Sequence, residues 1–377
     1  MTHHVLIAGG GGIGRALALM LRAEASFPCQ VTIGDLSLAA AQEAAAFANA
    51  KGDDALTTAI QMPAEGVDAT LTEALERADS IVDCLPGAQA PRMARLAREH
   101  GLNYLNLTEY VAETEQVLEI ARGASTCFAL QCGLAPGYIN ILAHDLFQRA
   151  CRDWGVDKVD SMRMRVGALT RHATAPHFYG WTWSPVGVAT EYVKPAIAVR
   201  DGETVELPSL SEREQLLVEG VWLEEDLTSG GAADLPQALA GRVRDLDYKT
   251  LRFPGHYAWV DTQLAELPDG PDRAARLQDR MMAAIPHCQD DQVIIYADVE
   301  GRDSRGDLRA ERAAVIVPSI EIDGRELRAI QSTTAAGVAE VLRLIVDRNL
   351  SGPLLQSEVP PSEFLNGPFV RTAYGTL

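Results

Sequence analysis

The sequence predicts an α/β fold in which a parallel-sheet domain is followed by an α+β domain with a largely antiparallel sheet. Through about residue 132, short apolar segments alternate with helical patterns at close spacing. Such alternation is typical of a right-handed parallel sheet with helices on both faces. Beyond that point, longer alternating segments meet at Asp-Gly pairs, which favours antiparallel hairpins. With 377 residues, the chain exceeds the usual size of one domain.

The elements of the first domain follow from apolar runs and from the residues that interrupt them. The alanine-rich stretch at 38–50 favours a helix, and Gly101 is a helix stop. Strands are predicted at 4–8, 29–37, 56–62, 80–86, 103–108 and 126–133, and helices at 13–25, 38–50, 69–78, 90–101 and 112–124.

The second domain has longer strands and fewer helices. Asp201-Gly202 and Asp323-Gly324 are typical of tight hairpin turns. Strands are predicted at 161–169, 248–253, 292–301 and 312–330, and helices at 135–151, 272–285 and 333–349. We expect the last helix to return to the first domain. The first domain then comprises 1–132 completed by 333–377, and the second comprises 133–332.

Composition excludes several classes of partner. The net charge is -19, from 52 acidic and 33 basic residues, so nucleic acid would be repelled. No stretch reaches the about 18 consecutive apolar residues of a membrane span, so we expect no membrane association. Six cysteines are scattered without a CxxC pair and eight histidines form no HExxH cluster. These patterns predict reduced thiols, a cytoplasmic protein and no metal site.

Glycines at positions 9, 11 and 14 join the first strand to the first helix. In this context Gly9 permits a tight turn, Gly11 lets backbone approach a pyrophosphate, and Gly14 lets helix and strand pack closely. Asp35 ends the second strand, where a carboxylate can accept hydrogen bonds from the ribose hydroxyls. The sequence therefore predicts a dinucleotide site. Its predicted contacts are Gly9, Gly11, Gly12, Ile13, Gly14, Asp35, Leu36, Leu85 and Pro86.

Asp35 also bears on the choice of dinucleotide. Its carboxylate would repel a 2′-phosphate, and the following residues, Leu36 and Ser37, include no arginine to neutralise one. NAD is therefore favoured, with NADP as the alternative.

Three segments of the second domain carry groups suited to binding or proton transfer. The stretch 179–192 is dense in aromatic side chains, TSGG at 228–231 offers backbone N–H donors, and YKTLRFPGH at 248–256 ends a strand with Lys249 and Arg252. Each has a plain structural alternative. These are an aromatic core patch, an ordinary turn and a solvated basic strand end.

Several segments resemble the saccharopine dehydrogenase family, in particular its branch with lysine 6-dehydrogenase and glutamate-forming saccharopine dehydrogenase. They are GGGGIGRALA, CGLAPGYINILAHDL, MRVGAL, WTWSPVGVATEYVKPAIAVRDGE, TSGGAADLP and DYKTLRFPGH, within residues 4–345. The resemblance implies a Rossmann domain interrupted by a substrate-binding and dimerisation domain, hence a homodimer. It also implies hydride transfer between NAD(P) and an amine-bearing carbon of a lysine- or saccharopine-like amino acid, with imine hydrolysis or its reverse.

Candidate residues for this chemistry follow from the resemblance and from the groups available. A carboxylate-bearing substrate needs a fixed cation, and a general base must take the amine proton before hydride leaves. We expect Arg252 to bind the carboxylate with help from Ser229 and Gly230. The remaining expected roles are Trp183 and Tyr192 as pocket walls, Asn140 as an orienting group, and His256, Lys249 and Glu109, in that order, for proton transfer.

Some positions depart from the usual family pattern around the expected pocket. Asn106 stands where relatives often carry aspartate, Thr190 replaces an asparagine, and the sequence of segment 170–180 differs from the usual one. Two other functions therefore stay open. One is a catalytically silent NAD-binding protein, and the other is a dehydrogenase of a non-amine alcohol or carbonyl substrate.

Overall fold

A computed structural model describes residues 2–49 and 57–376, which form two compact units. The first unit comprises Met1–Tyr138, Ile320–Leu327 and Gln331–Thr376, and the second comprises Ile139–Ser319 and Arg328–Ile330. The predicted helix end at residue 50 and strand start at residue 56 lie outside the described residues.

The helices and strands, in chain order, have the following bounds. The N-terminal elements are β1 (His3–Ala8), α1 (Gly12–Glu24), β2 (Cys29–Asp35), α2 (Leu38–Ala48), β3 (Thr57–Gln61), α3 (Ala69–Arg77), β4 (Ser80–Asp83), α4 (Ala90–His100), β5 (Asn103–Asn106), α5 (Val111–Ala121) and β6 (Cys127–Ala129). The central elements are α6 (Tyr138–Trp154), β7 (Val159–Thr170), α7 (Pro185–Val193), β8 (Ala196–Arg200), β9 (Glu203–Leu207), β10 (Glu214–Val218), β11 (Val221–Leu227), α8 (Leu235–Leu239), β12 (Val243–Arg252), α9 (His256–Ala265), α10 (Arg273–Ala284), β13 (Asp291–Arg302) and β14 (Leu308–Val317). The C-terminal elements are β15 (Ile320–Ile322), β16 (Arg325–Leu327), α11 (Ala329–Arg348), β17 (Gly352–Leu354), α12 (Pro361–Leu365) and α13 (Pro368–Tyr374).

The first unit contains the predicted parallel sheet. Its seven strands run in the order β17-β6-β5-β4-β1-β2-β3, and every neighbouring pair is parallel. The change of strand order at β1 and β4 places the carboxyl ends of these strands at the crevice where such sheets bind ligands. Gly101 ends α4 at a φ of 67°, as predicted, and Ser37 caps α2 with its hydroxyl.

Helix α11 belongs to the core of the protein. By length and composition it could cross a membrane, but 83% of its most apolar window is buried, which is the usual situation of a core helix. Strand β17 follows it and pairs with β6, and the side-chain amide of Gln356 donates to the carbonyl of Leu130 at 2.6 Å. The final part of the chain therefore completes the sheet that the first part begins.

The second unit is built on an eight-stranded mixed sheet. Strands β10-β11-β12-β7-β13-β14 form its main path, and β8 with β9 branches from β12. All pairs are antiparallel except β12 with β7. Because side chains alternate along a strand, successive residues of the long central strand β12 serve opposite faces of the sheet.

Candidate active site

The glycine loop has the geometry of a phosphate cradle. Gly9 has a φ of 108°, a conformation that L side chains rarely adopt, and a Cβ at Gly14 would collide with the carbonyl oxygen of Gly9. A Cβ at Gly11, by contrast, would meet no described atom within 4 Å. The space beside Gly11 is therefore open, and a bound pyrophosphate would fill it.

The start of α1 offers donors to that space. Gly11 is the N-cap, and no side chain in the described part of the protein caps the helix. The first-turn N–H groups, from Gly12 and Ile13 onward, therefore face outward from the helix end with the positive end of its dipole. A diphosphate fits both features.

Asp35 is fixed at the edge of the same crevice. Its two carboxylate oxygens accept backbone N–H groups of Gly10 and Ser37, at 2.8 and 2.9 Å. Each oxygen keeps lone-pair capacity for a ribose hydroxyl. Leu36, 62% exposed, follows it directly. This donor and acceptor set fits a dinucleotide.

The loop after β4 forms another side of the crevice. The N–H of Leu85 donates to Oδ1 of Asp83 at 3.0 Å, and the Leu85 side chain would contact a Cβ placed on Gly9. Pro86 then caps a short 3-10 turn at Gly87–Gln89. Leu85 thus lies beside the glycine loop, and Pro86 follows it in the chain.

Two acidic groups follow adjacent strands of this sheet. Burial raises the pKa of Asp83, the last residue of β4, to about 7. Burial also raises the pKa of Glu109, in the loop after β5, to about 7. Asp83 is engaged by Leu85 and by the hydroxyl of Tyr104 at 2.9 Å, so it is a structural group that sequence reasoning missed. Glu109 has a pKa suited to proton transfer near neutral pH.

The second unit buries a partly unsatisfied arginine. Arg252 is 1% exposed, and its guanidinium lies over the ring of Tyr179, 4.9 Å from the centroid. Its Nε donates to the hydroxyl of Tyr192 at 2.7 Å, and its Nη1 donates to the carbonyl of Leu251 at 3.0 Å. Its Nη2 is buried without a hydrogen-bond partner among the described residues and lies 3.9 Å from Oε2 of Glu191.

A hydrogen-bonded chain holds Arg252 in this orientation. Nδ1 of His256 donates to the carbonyl of His177 at 2.7 Å. Nε2 of the neutral imidazole is therefore an acceptor, and the Tyr192 hydroxyl, which accepts from Arg252, donates to it at 3.0 Å. Burial, with the nearby charge of Arg252, lowers the pKa of His256 to about 3.

The structure therefore corrects the prediction that His256 leads in proton transfer. A neutral imidazole with both nitrogens occupied neither takes nor gives a proton near neutral pH. The sequence context gave no sign of this, because His256 is the fully buried first residue of α9, a helix that the sequence did not predict.

Lys249 is also not part of this cluster. Alternation along β12 directs it to the opposite face of the sheet from Arg252. There its ammonium pairs with the carboxylate of Glu214 at 2.6 Å and donates to the carbonyl of Glu212 at 2.7 Å. The prediction that Lys249 and Arg252 share one site is wrong for this geometric reason.

The TSGG loop is tied to the same side of the sheet as Arg252. The N–H of Ser229 donates to the carbonyl of Glu191 at 3.0 Å, and the side-chain amide of Asn140 donates to the carbonyl of Gly231 at 3.0 Å. Gly230 has a φ of 87°. Asn140 thus positions this loop, and its role in orienting substrate or nicotinamide stays a prediction.

Aromatic side chains pack around this cluster. Tyr179, Trp181 and Tyr192 belong to one apolar core, against which the half-buried Trp183 packs. The hydroxyl of Tyr179 and the indole nitrogen of Trp181 are buried without hydrogen-bond partners among the described residues. Sequence reasoning grouped Trp181 and Glu191 with this patch without a role for either, and it did not single out Tyr179.

Two family models cover most of the chain. The saccharopine dehydrogenase NADP binding domain matches residues 5–127, and the saccharopine dehydrogenase C-terminal domain matches residues 133–359. The chain belongs to the saccharopine dehydrogenase family. This confirms the resemblance found in the sequence, and it supports an NAD(P)-dependent oxidoreductase.

Solved structures show the same fold as this saccharopine dehydrogenase family member. Apo saccharopine dehydrogenase (L-Glu forming) from Saccharomyces cerevisiae is similar with a TM-score of 0.74 at 15% identity, covering 96% of both chains. A homospermidine synthase from Legionella pneumophila, in complex with NAD, is similar with a TM-score of 0.69 at 14% identity, covering 100% of this chain and 90% of the other. At these identities the likeness confirms the predicted fold class.

Proposed function

We propose that the protein catalyses NAD-dependent oxidation of a CH–NH group in an amino acid, or the reverse reduction. The observation that carries this proposal is the guanidinium of Arg252, which is buried with no hydrogen bond from Nη2 to any described residue. A buried charged donor without an acceptor is costly, so its site is suited to a ligand that brings an anionic oxygen. A substrate carboxylate is such a group.

NAD is the proposed dinucleotide. The carboxylate of Asp35, fixed by two backbone N–H groups, would repel a 2′-phosphate and accept ribose hydroxyls. When bound, the dinucleotide accepts the hydride in the oxidative direction. The glycine loop and the start of α1 hold its diphosphate.

Glu109 is the proposed proton acceptor. A protonated amine has no lone pair to assist hydride loss, so a base first takes one N–H proton. The carbon then loses hydride, and a C=N bond forms. Water adds to that carbon and the C–N bond breaks, which yields a carbonyl compound and an amine. A pKa near 7 suits Glu109 to the first step.

A substrate panel tests the proposal. Reduced nicotinamide absorbance is followed with NAD and lysine, saccharopine, other amino acids, polyamines and hydroxy acids. We expect turnover with an amino acid that carries a secondary or side-chain amine. Turnover of hydroxy acids alone, or of no compound in the presence of NADH binding, would contradict the proposal.

Two variants on one strand sharpen this test. Arg252→Lys should raise KM for the carboxylate-bearing substrate at least tenfold and leave NADH affinity unchanged, because lysine lacks the guanidinium fork. Arg244→Lys is the matched control, since Arg244 lies on the same strand but is 56% exposed in its side chain. Equal KM values in the two variants would remove Arg252 from substrate binding.

A further inference from the structure

Asp83 ends β4, beside the strand that leads into the glycine loop. Its backbone is in register with Ala8, the last residue of β1, and the N–H of the next residue, Cys84, donates to the Ala8 carbonyl at 2.8 Å. A Cβ placed on Gly9 would lie 3.0 Å from the carbonyl oxygen of Cys84. Asp83 therefore belongs to the strand ends that surround the phosphate cradle.

The carboxyl group of Asp83 holds the loop that follows β4. Its Oδ1 accepts the N–H of Leu85 at 3.0 Å, and its Oδ2 accepts the hydroxyl of Tyr104 on β5 at 2.9 Å. The Leu85 side chain in turn lies 3.4 Å from the position of a Cβ on Gly9. A change in the charge of this carboxyl group therefore acts on the loop that borders the glycine turn.

The surroundings of Asp83 leave its charge uncompensated. Its described hydrogen-bond partners are neutral donors, and it is 3% exposed. Arg92 on α4 directs its Nη2 to two backbone carbonyls of the loop after β3, both at 2.9 Å. Burial raises the pKa of Asp83 to about 7, and the two hydrogen bonds and the charge of Arg92 offset only part of this. Burial also raises the pKa of the Cys84 thiol and the Tyr104 hydroxyl, so both stay neutral.

A bound dinucleotide adds negative charge beside this carboxyl group. Its diphosphate carries two negative charges, and the glycine loop next to β4 is the place that fits it. A like charge nearby disfavours the ionised form of a carboxyl group. Linkage is reciprocal, so the protein with a neutral Asp83 binds the dinucleotide more tightly than the protein with an ionised Asp83.

We propose that Asp83 sets the affinity of the protein for its dinucleotide and couples binding to the uptake of a proton by its carboxyl group. NADH carries one more negative charge than NAD, whose nicotinamide ring is cationic, so the coupling is stronger for NADH. Rising pH therefore loosens the reduced dinucleotide more than the oxidised one. In the oxidative direction this favours release of NADH. The proposal depends on the dinucleotide site and not on the identity of the substrate.

Fluorescence titration of the full chain with NADH, from pH 6 to pH 9, measures this coupling. The Kd should rise at least about threefold as the pH increases above about 7, and the Kd for NAD, measured by calorimetry, should rise less. Asp83→Asn keeps an acceptor for the Leu85 N–H and stays neutral, so its Kd for NADH should not change with pH. A constant Kd in the unsubstituted protein, or the same rise in Asp83→Asn, overturns the proposal.

Glu109→Gln is the matched control for NADH binding. Glu109 also has a pKa of about 7 and lies in the loop after the neighbouring strand β5, so its ionisation is the competing source of a pH effect. Glu109→Gln should keep the rise of the NADH Kd with pH. Loss of the rise in Glu109→Gln, with the rise retained in Asp83→Asn, would assign the proton to Glu109 and overturn the proposal.

Tyr104→Phe separates the proton coupling from simple support of the fold. Its hydroxyl lowers the pKa of Asp83 by donating to the carboxylate, so its removal should move the rise of the NADH Kd to higher pH. Weaker NADH binding at every pH with an unchanged midpoint would indicate support of the fold only and would contradict the proposal.

Proton uptake decides the question even if these variants do not fold. Calorimetric titration of the unsubstituted protein with NADH at pH 7.5, in buffers of different ionisation enthalpy, counts the protons taken up on binding. We expect uptake of a fraction of one proton per chain, and no uptake would overturn the proposal. NADH binding with this uptake but without turnover of any member of the substrate panel would refute the proposed function alone. Turnover with a pH-independent NADH affinity would refute the role of Asp83 alone.

Discussion

Replacing Tyr192 with phenylalanine tests the hydrogen-bonded chain that orients Arg252. The Tyr192 hydroxyl accepts from the charged Nε of Arg252 and donates to Nε2 of His256. All three side chains are at most 2% exposed, so water does not replace the lost bonds. The variant keeps the ring and its packing and removes only the oxygen.

The expected loss of stability follows from the two bonds. A hydrogen bond to a charged group contributes about 1.5–3 kcal/mol and a neutral one about 1 kcal/mol. Tyr192→Phe should therefore lower the free energy of unfolding by about 2.5–4 kcal/mol. At about 2–4 °C per kcal/mol, the midpoint of thermal unfolding of this unit should fall by roughly 5–16 °C.

Tryptophan fluorescence during urea titration measures this loss selectively. All five tryptophans, at 154, 181, 183, 222 and 259, belong to the second unit. Tyr257→Phe is the matched control, because the equally buried Tyr257 hydroxyl makes one neutral hydrogen bond, to the carbonyl of Thr250. It should lose about 1 kcal/mol. Equal losses in Tyr192→Phe and Tyr257→Phe would refute the reasoning.

Three further predictions concern the first unit. Gly11→Ala should weaken NADH binding at least tenfold in a fluorescence titration without changing thermal stability, because the added Cβ would meet only the ligand. Gly14→Ala should unfold at a lower temperature, because its Cβ collides with the carbonyl oxygen of Gly9. Normal NADH binding by Gly11→Ala would contradict the proposed phosphate cradle. Glu109→Gln should lower kcat/KM about 100-fold or more and remove the rise of kcat/KM with pH through about 7; a rise that persists would assign it to another group. The free energy of unfolding of Asp83→Asn, relative to that of the unsubstituted protein, should increase as pH rises. The pKa of Asp83 is raised from 3.8 to about 7 by folding, so its stabilising contribution is full below the unfolded pKa and is lost by about pH 8. The urea-unfolding difference between pH 4 and pH 8 should approach about 4 kcal/mol, and a pH-independent difference would refute it.

Much of the first unit was predictable from the sequence because its signals are local. The glycine loop, the apolar run of β1 and the acid at the end of β2 are each readable within a few residues, and family membership and the parallel sheet confirm the predicted class. Strand β17 was missed, because Gly352–Leu354 is a three-residue strand whose formation depends on pairing with distant β6.

The candidate site of the second unit was predictable in composition but not in orientation. Lys249 and Arg252 are three positions apart on one strand, and the alternation of side chains along it puts them on opposite faces of the sheet. The sequence predicted this strand at 248–253, and the structure has it at Val243–Arg252. Likewise, the partners of His256 are contributed by Tyr192 on α7 and by the carbonyl of His177. These long-range contacts occupy both ring nitrogens of His256, and no local sequence pattern predicts them.

The pairing of β17 with β6 has a consequence for biosynthesis. During translation, residues 1–138 leave the ribosome long before Gly352–Leu354. The edge of β6 that pairs with β17 therefore stays unpaired while the second unit is synthesised. A truncated chain that stops before residue 352 would keep that edge permanently. The nucleotide-binding half thus reaches its finished form only when the last few dozen residues have emerged.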